Sequence, residues 1–263
     1  MKNFKQVKIF VLSTLLWTSG FFLYSTFTAS AYSCKVCDGL ESEDNSTIVS
    51  SKLVIITHPC DEYDEARIAK TGIETLLGFA QDNKYPSIIL KNDVCEPYVD
   101  HKNHEYSEYL SEGGEFKFSF TSREVYLGGG YFWHCLGYTL AHVISKFLKY
   151  ENDSSIFRIN LVADAIYSQL GDLSGDILFK YELQAVSPVY REEYFTNLLF
   201  NKWLVEAAFN PSELRNYNII VNVYGEPVLT INSSIENSNT IEINVIDSNR
   251  LSEPAPGESV DSH

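Results

Sequence analysis

The fold class follows from one apolar stretch, residues 53–57, which read LVIIT. An unbroken apolar, β-branched run predicts a strand that is buried on both faces, as strands in parallel sheets are. Apolar residues then recur at helical spacing over residues 61–81, and SIIL at residues 87–90 predicts a second strand. Strand, helix and strand in this order predict a βαβ unit.

The same order recurs further along the chain. EVYL at residues 124–127 predicts a strand, residues 131–150 a periodic helix, and residues 157–163 another strand. We therefore expect an α/β core over residues 52–168, with a three-layer, mostly parallel sheet flanked by helices. Between these units, residues 94–115 are polar and are expected to form an excursion beyond the carboxyl end of a strand.

A change of pattern after residue 168 predicts a C-terminal extension over residues 169–247, packed on the core. It contains a candidate strand at 178–185 and an amphipathic helix at 191–209. A hairpin is expected from 218–223 and 228–231, and a strand with one solvated face from 240–246. The extension is thus a helix and a β-hairpin, and residues 248–263 are expected to be a disordered tail.

The N-terminus has the pattern of a secretory signal peptide over residues 1–31. Lys2, Lys5 and Lys8 precede an apolar run at 9–24, and a small-residue cleavage site ends at Ala31. A retained anchor is the alternative, but the run is interrupted by polar residues and is short for a membrane span. We predict an exported protein, periplasmic or secreted, with no stable span after cleavage and a polar, cysteine-containing leader at residues 32–51.

Composition restricts the partners of this protein. Among its 263 residues are 35 Asp and Glu against 20 Lys and Arg, so the net charge is −15. An acidic surface repels phosphate backbones, so we predict no nucleic-acid partner and retain a small-molecule ligand as the candidate partner. The sequence favours no particular oligomeric state. The 44% of hydrophobic residues is typical of a globular domain.

Five cysteines follow the predicted signal, at positions 34, 37, 60, 95 and 135. An odd number in an exported protein leaves at least one thiol outside intramolecular disulfides. Cys60 and Cys95 each follow a predicted strand, so they would share one rim of a parallel sheet and are candidates for a disulfide. Cys34 and Cys37 are candidates for a second disulfide, and this scheme leaves Cys135 as a thiol.

Residues 128–139, which read GGGYFWHCLGYT, carry the most chemical information in the chain. Glycines after a buried strand allow a sharp turn, so the backbone at Gly129 and Gly130 is a candidate oxyanion-binding turn. Cys135 falls near the start of the next helix, where the helix dipole favours a thiolate. Cys135 is therefore a candidate nucleophile; the alternative is a small buried thiol in an aromatic-rich helix.

This segment, followed by the strand that ends in Val162-Ala163-Asp164-Ala165, resembles the core of isochorismatase-like cysteine hydrolases. The resemblance covers roughly residues 52–168 and implies a Cys nucleophile, an Asp at the end of the first strand, and a Lys. Cys135 matches the nucleophile. Thr57 and His58 stand at the position of the Asp, and the nearest acidic residue is Asp61.

Lys102 is the nearest match to the lysine of that family by spacing, and Lys117 lies closer to the cysteine motif. The candidate catalytic residues are therefore Cys135, His58, Asp61 and Lys102. The polar excursion also holds His101 and His104 beside acidic residues. That composition suits a metal, but a solvated loop is the interpretation that we favour, and we predict neither a metal nor another cofactor.

Two functions fit these residues. The absence of an Asp at the end of the first strand favours a degenerate site on an isochorismatase-like fold, with a non-catalytic binding or cell-envelope role. The alternative is a hydrolase that uses Cys135 to attack a small amide or ester, assisted by His58 or Asp61.

Overall fold

The computed structural model describes residues 47–59, 64–91, 106–109, 118–132, 135–150, 153–167 and 213–252. The strands of these residues are β1 (Thr47–Ile48), β2 (Lys52–Thr57), β3 (Ser87–Lys91), β4 (Tyr106–Tyr109), β5 (Ser119–Phe120), β6 (Glu124–Gly129), β7 (Ile156–Val162), β8 (Asn218–Val223), β9 (Glu226–Ile231) and β10 (Thr240–Ile246). Two α-helices, α1 (Asp64–Asn83) and α2 (Cys135–Phe147), accompany three short 3-10 helices, Ala163–Ala165, Glu213–Asn216 and Ser248–Arg250.

The main sheet has eight strands in the order β4-β3-β2-β6-β7-β10-β8-β9. Every neighbouring pair is parallel except β8 and β9, which are antiparallel. The structure therefore confirms a mostly parallel α/β fold. The strands that the sequence predicts in the core all belong to this sheet, and their observed ends differ from the predicted ones by at most two residues.

The two α-helices cover opposite faces of this sheet. The α1 residues Ile73, Leu76 and Ala80 pack with Val54 and Ile56 of β2 in one cluster of buried side chains. The α2 residues Leu136, Leu140 and Ile144 belong to a second cluster that contains the alternate β2 residues Leu53 and Ile55. Because successive side chains of a strand point to opposite faces, each face of β2 is buried under one helix. The expected three layers are present.

Three strands after residue 168 join the main sheet. The hairpin of β8 and β9 forms as expected, around a turn at Tyr224 and Gly225, both of which have positive φ. However, β8 and β10 continue the main sheet instead of forming a separate extension packed on the core. β10 lies between β7 and β8, in parallel register with both. The third predicted helix, 191–209, and the strand predicted at 178–185 lie outside the described residues.

The alternating pattern of β10 also has a different cause from the expected one. Its polar residues Glu242 and Asn244 are largely buried rather than solvated, and they bond to side chains of the neighbouring strands. Alternation here separates an apolar face from a hydrogen-bonded polar face.

Residues 248–252, the first part of the predicted disordered tail, are ordered in the structure. Ser248–Arg250 forms a 3-10 helix, and both the amide and the hydroxyl of Ser248 donate to the Asp164 carboxylate, at 2.9 and 2.5 Å. Leu251 is 6% exposed and belongs to the cluster under α1. These contacts attach the chain after β10 to the carboxyl end of β7.

Three further short strands were not expected. Tyr106–Tyr109, inside the segment predicted as a polar excursion, pairs parallel with β3 as β4. Thr47–Ile48, within the predicted leader, pairs with Ser119–Phe120, and Ile48 is buried in the core. The end of the leader is therefore attached to the domain through a strand.

Candidate functional site

A change of direction in the sheet determines where the candidate site lies. From β2 the chain moves outward through β3 to β4, then returns to β6 on the other side of β2. In open α/β sheets such a topological switch point creates a crevice outside the carboxyl ends of the two strands, and ligands bind there. Here Thr57 ends β2 and pairs with Gly129, which ends β6.

Two glycines shape the turn that leaves β6. Gly129 and Gly130 have φ values of 72° and 64°, a backbone conformation that L side chains rarely adopt. A Cβ on Gly129 would also collide with the carbonyl oxygen of Thr57, and one on Gly130 would lie 2.8 Å from the Cys135 sulfur. Glycine is therefore needed at both positions for conformation and for space.

This turn brings the Cys135 thiol against the backbone at the start of α2. Cys135 is the first residue of that helix, is present as a thiol, and is 7% exposed. The Tyr131 amide donates to its Sγ atom at 3.1 Å, and the Leu136 amide donates to the Tyr131 carbonyl at 3.1 Å. A donated N–H and the amino end of a helix both stabilise negative charge on sulfur.

A hydroxyl group at the end of β2 contacts a hydroxyl group of α2. Thr57 Oγ1 and Thr139 Oγ1 are 2.8 Å apart, and both residues are fully buried. Thr139 also donates to the Cys135 carbonyl oxygen at 3.2 Å. Threonine hydroxyls do not act as proton acceptors near neutral pH, so this pair connects the strand to the helix without supplying a general base.

His58 follows Thr57 at the same edge and is held by its backbone. It has a φ of 46°, its amide donates to the Leu90 carbonyl at 2.7 Å, and its carbonyl accepts from the Tyr167 hydroxyl at 3.1 Å. Positive φ at a non-glycine residue costs conformational energy, which the bonds of the surrounding backbone offset here. His58 is 7% exposed.

Tyr167 connects the parts of this edge that the sequence does not connect. Its hydroxyl bonds to His58, its amide donates to the Gly130 carbonyl at 2.9 Å, and its ring meets Tyr131 edge-on with centroids 5.6 Å apart. Sequence reasoning did not select Tyr131 or Tyr167, because scattered aromatic residues most often belong to the core.

The structure therefore places three groups of the predicted site at one edge: Cys135, the turn at Gly129 and Gly130, and His58. The remaining candidates, Asp61, Lys102 and Lys117, lie outside the described residues. So do His101 and His104, and the four cysteines Cys34, Cys37, Cys60 and Cys95, so the disulfide scheme stays a prediction.

Asp164, in the segment that resembles the hydrolase core, has a structural role. Its carboxylate accepts two bonds from Ser248 and thereby connects the 3-10 helix after β7 to the one after β10. Within the described part of the chain, no group of three or more His, Cys, Asp or Glu side chains could hold a metal ion.

Comparison of the chain with protein families and with curated proteins finds no match. No helix among the described residues is long and apolar enough to cross a membrane.

Proposed function

We propose that this is an exported α/β protein with an isochorismatase-like fold, and that its switch-point edge binds a small molecule without catalysing a reaction on it. The observation that carries the proposal is the Thr57–Thr139 hydroxyl pair, 2.8 Å between oxygens, at the end of the first core strand. A hydrolase of this design needs a proton acceptor there, and a buried threonine does not provide one.

Binding remains supported by the geometry of the edge. The site lies at the switch point of the sheet, where Thr57 at the end of β2 pairs with Gly129 at the end of β6. The half-buried Tyr131 ring, which packs edge-on against Tyr167 at this edge, offers an apolar surface to a small ligand.

Binding can be tested by adding a library of small carboxylates, amides and esters to the isotopically labelled protein. We expect amide chemical-shift changes at Gly129, Gly130 and Tyr131 with some members of the library. Gly225, in the β8–β9 turn three strands away, serves as the internal control and should not respond. A library with no effect on the three amides would contradict the binding role.

Catalysis is tested separately, by comparing the wild-type protein with Cys135→Ala in hydrolysis of the same amides and esters. We expect no difference in turnover between the two proteins. Alkylation of Cys135 by iodoacetamide should be slow at pH 7, because the thiol is 7% exposed.

The alternative function, a cysteine hydrolase, is favoured by one contact. The amide of Tyr131 donates to Sγ, and Cys135 begins α2, so both local dipoles stabilise a thiolate. Hydrolysis that disappears in Cys135→Ala, together with rapid alkylation at pH 7, would establish this alternative and refute a non-catalytic site.

Export is tested on the secreted protein by N-terminal sequencing. Cleavage after Ala31 makes Tyr32 the first residue and leaves 232 residues with a net charge of −18, because the signal removes three lysines and no acidic residue. A mature protein that still begins at Met1 would refute the signal peptide.

A further inference from the structure

β8 and β10 have similar patterns of apolar and polar side chains. On the face that carries α2, β8 contributes Ile219, Val221 and Val223, and β10 contributes Ile241, Ile243 and Val245. All six side chains are 5% exposed or less. Apolar burial therefore does not explain why β10, rather than β8, lies beside β7.

The opposite face adds a second similarity between the two strands. Asn160 of β7, Asn244 of β10 and Asn222 of β8 share one register position. Asn222 donates to Asn244 at 2.9 Å, and Asn244 donates to Asn160 at 3.1 Å. If β8 paired with β7 in the same register, Asn222 would stand opposite Asn160, so the asparagines do not select between the strands either.

The strands differ at the residue two positions before each asparagine. β10 has Glu242 there, and β8 has Ile220. Arg158 of β7 lies in register with Glu242 and donates from Nε to its Oε2 at 3.1 Å. The two side chains are 20% and 16% exposed, so Arg158 opposite Ile220 would lose this partner in a poorly solvated position.

The other carboxylate in register with Arg158 has partners of its own. Glu124 of β6 is the other in-register neighbour of Arg158, and its carboxylate bonds to Lys52, Tyr126 and Asn160. Glu242 also accepts from Asn222 of β8 at 3.1 Å. One carboxylate therefore contacts both strands that border β10.

We propose that the Arg158–Glu242 ion pair favours the strand order in which β10, and not β8, lies beside β7. The pair acts as a specificity element between two alternative strand orders of one sheet, a role best attested for polar groups in otherwise apolar interfaces.

The test is amide hydrogen exchange on the full-length protein. In Glu242→Ile the selection is lost, so the protection of β10 amides should fall relative to that of β8 amides by about tenfold or more, as removal of one partner of a largely buried pair predicts. Glu242→Gln keeps the side chain's size and should give a smaller fall in the same direction, even if Glu242→Ile does not fold.

A transfer variant makes the test specific to strand order. Ile220→Glu combined with Glu242→Ile gives the carboxylate to β8, so β10 protection should fall further than in Glu242→Ile alone. Glu226→Ile, an exposed change on β9, is the matched control and should leave β10 protection unchanged. Equal losses in β8 and β10, or full β10 protection in the transfer variant, would overturn the proposal.

Discussion

Gly130 shows how one residue fixes the geometry around the thiol. Its φ of 64° requires glycine, and a Cβ at this position would lie 2.8 Å from Cys135 Sγ. Gly225 has a φ of 88° but no atom within 4 Å of its Cβ position. A comparison of Gly130 with Gly225 therefore separates the cost of backbone strain from the cost of crowding by a side chain.

Alanine at these two positions should have unequal effects on stability. Gly225→Ala should lower the free energy of unfolding by about 1–2 kcal/mol through backbone strain alone. Gly130→Ala should cost a further ~1–3 kcal/mol because it also crowds the sulfur. Chemical denaturation of both variants measures the difference, and Cys135→Ala in the Gly130→Ala background should recover part of it. Equal losses for the two single variants would show that the contact with sulfur is unimportant.

Asp153 gives a prediction about pH. Hydrogen bonds from Ser155 are the main cause that holds the pKa of this exposed carboxyl below its ordinary value, and Arg123 lowers it further. Because the pKa is lower in the folded protein, the stabilisation is present above the pKa of the unfolded chain and is lost as pH falls through the folded pKa.

An NMR titration of the Asp153 carboxyl tests this assignment. Its midpoint should lie below that of an ordinary Asp, about 3.9, and should move upward in Ser155→Ala. Asp153→Asn should remove this contribution to the acid dependence of stability. A midpoint that does not change in Ser155→Ala would mean that Ser155 is not the cause.

At the scale of secondary structure, the packing of α1 depends on a missing side chain. Gly72 lies in the middle of α1, and a Cβ there would collide with the carbonyl of Asp164 in the 3-10 helix after β7. Gly78, in the same helix, has nothing within 4 Å of its Cβ position. Gly72 therefore permits α1 to pack closely against the 3-10 helix after β7, whereas Gly78 has no such role.

This contrast gives a matched pair of variants in one helix. Gly78→Ala should raise the free energy of unfolding by about 0.5–1 kcal/mol, because alanine favours the helix. Gly72→Ala should lower it by about 1–3 kcal/mol, because the clash involves backbone that cannot move away easily. Thermal or urea unfolding measures both changes, and a stabilising Gly72→Ala would contradict the close packing of these elements.

The sequence predicts most of the elements because their patterns are local. The runs at 53–57 and 87–90 are unbroken and apolar, which only strands buried on both faces require. β4 has no such pattern: its four residues read YSEY, and it is a strand only because the edge of β3 is available. Tertiary pairing of this kind cannot be predicted from local sequence.

The sequence likewise predicts only part of the candidate site. Cys135, Gly129 and Gly130 are visible in sequence because a glycine turn before a helix has a local pattern. The Thr57–Thr139 pair joins residues 82 positions apart, and the Tyr167–His58 bond joins residues 109 apart. Such contacts depend on the strand order, so they could not be predicted from spacing.

On the scale of the whole molecule, β8, β9 and β10 belong to the same sheet as β2 and β3. Leu251, which follows β10, is buried in one cluster with Val54 and Ile56 of β2 and with α1. The ends of the described chain therefore contribute to one core, although the sequence suggested a core and a separate extension.

Leu251→Ala should consequently weaken the sheet as a unit. Removal of this buried side chain should cost about 2–4 kcal/mol, and exchange protection should fall equally in β2 and β10. Leu251→Met, which keeps most of the volume, should cost much less. A loss of protection limited to β8, β9 and β10 would show that the C-terminal strands unfold independently.

The interior position of β10 also has a consequence for the timing of folding in the cell. Residues 240–246 must leave the ribosome before β7 and β8 can take their final places, so this sheet cannot close before β10 has been synthesised. A chain whose sheet has not yet formed can still pass in an unfolded state through a translocation channel. Late closure of this kind suits the export that we propose, because the protein can fold after it has crossed the membrane.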